Sequence, residues 1–120
     1  MRVPALLMGA LFLYACADDP SYDPQVPQGD PQHGRAALSE FECGVCHTIP
    51  GVAGARGTVG PPLDSMRRNV YVAGKFPNTP DMLVRFIMDA PALAPETAMP
   101  NVGVAERQAR DMAAYLYAID

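Results

Sequence analysis

Apolar positions in this chain recur at helical spacing wherever they recur at all. In "NTPDMLVRFIMDAP", Leu83, Phe86 and Ile87 fall at i, i+3 and i+4, which lines one face of a helix. The same stretch carries its own boundaries. Thr79 suits the N-cap, Pro80 suits the first helical position, and Asp81 complements the positive end of the helix dipole. Pro91 disfavours helix at Ala90 and predicts the stop. "VAERQARDMAAYLYAID" predicts a terminal helix, with Ala105, Ala109, Met112, Ala113 and Leu116 on its core face and Glu106, Arg107, Arg110 and Asp111 turned away. "GRAALSEFECGVC" begins as a helix, Leu38 and Phe41 sharing a face. Two irregular stretches separate these elements, "TIPGVAGARGTVGPPL" and the proline-rich "APALAPETAMPN". No segment alternates like a strand. The expectation is an all-α domain with more loop than ordinary helical bundles carry. In the first loop Gly51, Gly54, Gly57 and Gly60 recur every third residue. They read either as a surface loop or as backbone passing close to something flat and bulky, where a side chain would collide.

The chain before residue 32 follows another pattern. Arg2 is a short basic region, and Ala5 to Tyr14 form an uncharged apolar stretch, too short to span a membrane and of the length found in export signals. The stretch ends in "LYAC". This looks like a bacterial lipoprotein signal, with Leu13 and Ala15 ahead of Cys16, the residue to be acylated. An ordinary signal peptide cut after "ACA" would export the chain equally well; a buried N-terminal helix would not. The following "ADDPSYDPQVPQGDP" holds four Asp and four Pro with almost no apolar content, so it reads as an extended tether. At ~3.1 Å per residue it reaches roughly 40 Å from an anchor. The predicted organisation is therefore a signal peptide over 1–15, a lipid anchor and Pro/Asp-rich tether over 16–31, and a folded domain over 32–120.

Composition changes this picture in two ways. The formal charge of −4 belongs mainly to the tether, because residues 31–120 hold nine acidic and eight basic side chains. Neither an acidic docking face nor nucleic-acid binding is indicated. A folded part of about 90 residues buries only a modest fraction of its surface, so a bound macrocycle would supply apolar core that the chain lacks.

The candidate chemistry lies in "CGVCHTIPG", residues 43–51. The chain has three cysteines, so a disulfide framework leaves one over. Lipid on Cys16 and a cofactor on Cys43 and Cys46 would leave none. A structural zinc site usually needs four ligands, and beyond Cys43, Cys46 and His47 only distant His33 is on offer. A thioredoxin-type pair normally sits in a βαβ context, which the pattern lacks. C-x-x-C-H is the signature of covalent haem c attachment. Cysteines at i and i+3 of a helical turn face the same way and can both bond the macrocycle, while His47 presents its imidazole to the iron. For the opposite ligand, Met82, Met88 and Met112 sit on predicted helices, where packing explains them. Met66 lies in a turn region. Met99 differs, lying between Pro95 and Pro100 in an irregular loop that can carry a thioether over the distal face.

Taken together, "CGVCH", "GPPL", "NTPDMLVRFI", "TAMPNVGV" and "ARDMAAYLY" resemble the class I cytochromes c of bacteria, over roughly residues 33 to 119. The resemblance implies a small all-α fold, its helices and long loops wrapped around one covalent haem. It also implies His47 as proximal ligand, Met99 as distal ligand, and a hydrogen bond from the His47 imidazole to the Pro61 carbonyl. Family members cross their terminal helices through a small residue and an aromatic, here Gly34 and Tyr115. Gly34 stands nine residues before Cys43, where many members have eight, and the usual tryptophan near the propionates is missing, its space open to Phe86.

His/Met ligation favours a relatively high potential and suits electron transfer rather than enzymatic chemistry. The expected function is a single-electron carrier between a respiratory donor and a terminal oxidase or similar acceptor. It would be extracytoplasmic or periplasmic, tethered by lipid or, with the ordinary signal peptide, soluble. A haem subunit of a larger dehydrogenase or oxidase complex is the alternative. A gas-binding haem sensor with an open distal site is the third reading.

Overall fold

The computed structural model describes residues 24–119. The predicted signal peptide, Cys16 and residues 17–23 of the predicted tether lie outside them. The described chain is mostly helical. Its helices are α1 (Pro31–Glu40), α2 (Pro80–Met88), α3 (Ala90–Leu93) and α4 (Glu106–Ala118). Single 3-10 turns stand at Cys43–Val45 and Met66–Arg68. No helix among the described residues is long and apolar enough to cross a membrane.

The all-α expectation needs one correction. Strands β1 (Tyr71–Val72) and β2 (Phe76–Pro77) form an antiparallel hairpin, with Val72 opposite Phe76. Two residues per strand are too few to show alternation. Ala73 (φ 53°) and Gly74 (φ 65°) reverse the chain, and the Lys75 N–H closes the turn on the Val72 carbonyl at 3.1 Å.

α1 and α2 start where the sequence satisfies the unpaired N–H groups of a first turn, whereas α4 starts after Ala105 with no side-chain cap. Thr79 caps α2 through its hydroxyl, which accepts from Met82 N–H at 3.2 Å, with Pro80 next to it. Asp30 does the same for α1, accepting from Gln32 N–H (2.8 Å) and His33 N–H (3.1 Å) ahead of Pro31. Asp30 and Pro31 thus belong to the fold, not to a tether. Pro24 is buried, and Gly29 packs against α4 at Arg110 and Ala114, so the packed chain begins well before residue 32. The expectation at Pro91 needs correction: α2 ends at Met88 with the break at Asp89, and Ala90 is helical, opening α3 with Pro91 in its first turn, where Asp89 accepts from Ala92 N–H at 3.3 Å.

The core lies where α1 and α2 pack on α4. Leu83, Phe86 and Ile87 are buried as the stripe predicts, and so are Ala109, Met112, Ala113 and Leu116. Two assignments on α4 change. Ala105 is exposed at the N-cap, its N–H donating to Gln108 Oε1 at 3.1 Å. Asp111 is only 5% exposed, since its carboxylate accepts the Asp30 N–H at 2.8 Å and meets Arg107 Nε at 3.4 Å. A buried carboxylate is tolerable when it is paired in this way. Gly34 makes the α1–α4 crossing close: a Cβ there would overlap the Asp111 carbonyl.

Candidate functional site

Glu42, in the left-handed region at φ 56°, turns the chain from the end of α1 into the Cys43–Val45 turn. The turn continues to His47, whose N–H donates to the Cys43 carbonyl at 3.0 Å. One helical turn therefore carries Cys43, Cys46 and His47. The two cysteines are free thiols and half-buried. Burial pushes the Cys43 thiol above its ordinary range, opposed by a backbone hydrogen bond and reinforced by the charge of Cys46. Near neutral pH it stays protonated and is a poor nucleophile towards disulfides.

The following loop folds back onto this turn. Gly57 N–H donates to the carbonyls of Gly44 (3.0 Å) and His47 (3.2 Å), Gly60 N–H to that of Cys46 (2.8 Å), and Leu63 N–H to that of Thr48 (2.9 Å). The Thr48 hydroxyl donates to the Gly57 carbonyl at 3.1 Å. These bonds set Pro61 against the imidazole, with His47 Nδ1 2.6 Å from the Pro61 carbonyl oxygen. A carbonyl can only accept, so Nδ1 carries the ring proton and Nε2 of the neutral ring keeps its lone pair. The geometry thus fixes the ring orientation and leaves one nitrogen as a donor atom for a metal.

Gly60 sits directly against the ring, and a Cβ there would run into the imidazole. The flat group that this glycine accommodates is thus, in the first place, the histidine itself. The Tyr115 hydroxyl donates to the Pro50 carbonyl at 2.6 Å, holding the loop to α4. Asn78 is a second tie. Its amide donates to the carbonyls of Met66 and Asn69, both at 2.7 Å, and its oxygen accepts from the Tyr117 hydroxyl at 2.7 Å. The sequence held no signal for either tie, since nothing local distinguishes Asn78 from any turn asparagine.

The methionines separate by environment. Met112 is 0% exposed inside the helix core, and Met66 is buried under the 3-10 turn that it begins. Met82 and Met88 pack against the core from α2. Met99 is half-buried on the irregular segment between α3 and α4, its N–H bonded to Thr97 Oγ1 at 3.2 Å. The geometry brings Cys43, Cys46, His47 and Pro61 together. Met99 lies on a separate segment that packs on the core. Among the described residues no group of three or more His, Cys, Asp or Glu side chains gathers as a metal site would. A scan against protein-family models and a search of curated proteins return no match for the chain.

Proposed function

We propose that this protein is a monohaem c-type cytochrome, exported and held at a membrane by lipid on Cys16, that carries single electrons between a respiratory donor and a terminal oxidase or similar acceptor. The observation that carries the reading is the His47 ring, with Nδ1 tied to the Pro61 carbonyl at 2.6 Å next to two unpaired cysteines on the same turn. Cys43 and Cys46 would hold the haem through thioether bonds, His47 would ligate the iron through Nε2, and Met99 would supply the opposite ligand. Bound there, haem c supplies a one-electron Fe(III)/Fe(II) couple whose potential a Met/His ligand pair sets relatively high.

The chain's own residues would do the rest. Pro61 holds the imidazole in one tautomer and one orientation, which strengthens it as a donor. The loop bonds to Gly44, Cys46 and His47 restrain the proximal side. Two protein ligands leave no coordination position for a substrate, which suits electron transfer. The free thiols support attachment in a second way: they are half-buried, unpaired and within one turn of each other.

The test is denaturing electrophoresis of the membrane-expressed protein, followed by haem staining and acid–acetone extraction. Haem should stay with the wild-type chain and be lost from a variant carrying both Cys43→Ala and Cys46→Ala. Haem that extracts freely from the wild type overturns the covalent assignment.

A further inference from the structure

Met99 sits on the segment between α3 and α4, which is buried at its ends through Ala94 (4% exposed) and Val104 (6%). In between, the segment bonds locally: Thr97 N–H to the Ala94 carbonyl (2.9 Å), Met99 N–H to the side-chain Thr97 Oγ1 (3.2 Å), and Gly103 N–H to the side-chain Asn101 Oδ1 (2.9 Å). Among the described residues, one hydrogen bond or ion pair ties residues 95–103 to another part of the fold. It runs from Lys75 Nζ to Glu96 Oε1, at 2.7 Å.

Lys75 is the chain's only lysine, and it is itself positioned. Its ammonium stands 5.9 Å from the centre of the Phe76 ring, a cation–π distance. Phe76 in turn packs on Phe86 of α2, with ring centres 6.5 Å apart. Glu96 projects from the turn that Ala94 and Thr97 close, and Thr97 holds the Met99 N–H. The chain of contacts therefore runs from α2 through the hairpin to the residue proposed as distal ligand.

We propose that the Lys75–Glu96 pair is a latch that positions the Met99 segment and sets how often Met99 leaves the haem iron. The proposal rests on the reading of Met99 as a ligand. An exposed ion pair contributes little to global stability, so the latch acts on local opening of the segment rather than on unfolding of the domain. Both partners face solvent, so dissolved salt screens the pair.

The experiment uses the haem-loaded full chain with Glu96→Gln, Lys75→Gln, both together, and Lys75→Arg. The first readout is amide hydrogen exchange at Thr97 and Met99, with Leu83 and Ala109 as core controls. The second is the rate at which cyanide binds the ferric form, which Met99 departure limits. Either single glutamine variant should speed both readouts by about two- to fivefold. The double variant should add nothing further, because the two residues act as one unit. Lys75→Arg should restore wild-type behaviour, and high salt should speed the wild type but not the glutamine variants. Unchanged exchange in the single variants overturns the latch, as does additivity in the double variant. Faster exchange with an unchanged cyanide rate overturns its role in positioning Met99. The ligand reading is checked separately by the sulfur-to-ferric-iron band of the wild type. If that band is present and neither rate responds, the latch fails while Met99 ligation stands. If the band is absent, ligation fails whatever the exchange shows.

Discussion

His47 shows what a single contact decides. The carbonyl of Pro61 fixes which ring nitrogen is protonated, and with it which one can donate to a metal. The proposed opposite ligand, Met99, differs from its rivals in where it sits: Met82 and Met88 are on α2, while Met99 is on the irregular segment between α3 and α4. Met112 is sealed in the helix core and Met66 under its turn, while Met99 is half-buried on an irregular segment. A thioether favours ferrous iron and a second imidazole favours ferric, so Met99→His should lower the midpoint potential by on the order of a quarter of the ~0.8 V that axial ligands span. Redox titration measures this, and the sulfur-to-iron band should vanish with it. Met99→Ala should admit cyanide or carbon monoxide. Met112→Leu should keep potential and band, with less than about 1.5 kcal/mol lost, because the swap conserves volume in a core. Loss of the band in Met112→Leu but not in Met99→Ala would reverse the assignment. Asp30 carries a pH prediction. Backbone hydrogen bonding, first from His33, holds its carboxyl below the usual carboxylate range. A depressed acid stabilises the fold above its unfolded pKa and loses that contribution as pH falls through the folded one. Wild type should therefore melt higher than Asp30→Ala at neutral pH, and the gap should narrow once acid protonates Asp30; a gap independent of pH would remove the charge from the explanation.

At the scale of elements, cap, proline and apolar period made α2 legible in the sequence, and apolar period alone did so for α4. The start of α1 carries the same signal, Asp30 then Pro31, yet reads as tether because the residues before it are rich in Asp and Pro. Composition masked a local rule. Pro91 reads as disfavouring helix at Ala90, yet it sits in the first turn of α3, where proline is tolerated, and position alone cannot separate those uses. The hairpin was too short for periodicity to register, and Asp111 looked solvent-facing because its partner, the Asp30 N–H, is 81 residues away in sequence. Of the site, the cysteines and His47 were legible from spacing. The ties from Tyr115 to Pro50 and from Tyr117 to Asn78 depend on tertiary contact and were not. Thr79→Ala should cost about 1 kcal/mol in denaturant melts, the usual value of a lost N-cap. Gly34→Ala should destabilise although alanine is favoured over glycine in a helix by roughly 1 kcal/mol. The added Cβ meets the Asp111 backbone carbonyl, which cannot swing aside as a side chain could. A Gly34→Ala variant more stable than wild type would show that the crossing is looser than the contact implies.

For the whole molecule, the proposed lipid anchor would have to connect to the domain through a short stretch of chain. Pro24 is buried and Gly29 lies against α4, so at most residues 17–23, not the whole stretch to 31, lie between Cys16 and the packed domain. Seven residues reach at most roughly 25 Å when fully extended, shorter than the composition of the stretch suggested. A lipidated Cys16 would then keep the domain close to the bilayer and limit the partners to those at the same surface. The near-neutral balance of residues 31–120, nine acidic against eight basic side chains, would suit the proposed arrangement, since a tethered carrier would need no long-range steering. Cys16→Ser should release the protein in soluble form or leave it as an uncleaved precursor. Its haem spectrum and midpoint potential should match those of the wild type, because residues 17–23 separate the acylation site from the packed domain. Membrane fractionation with N-terminal sequencing checks the first outcome, and redox titration checks the second. A wild-type protein found soluble and beginning at Asp18 would replace the lipid anchor with an ordinary signal peptide. A shifted potential in Cys16→Ser would mean that the anchor reaches the haem site after all.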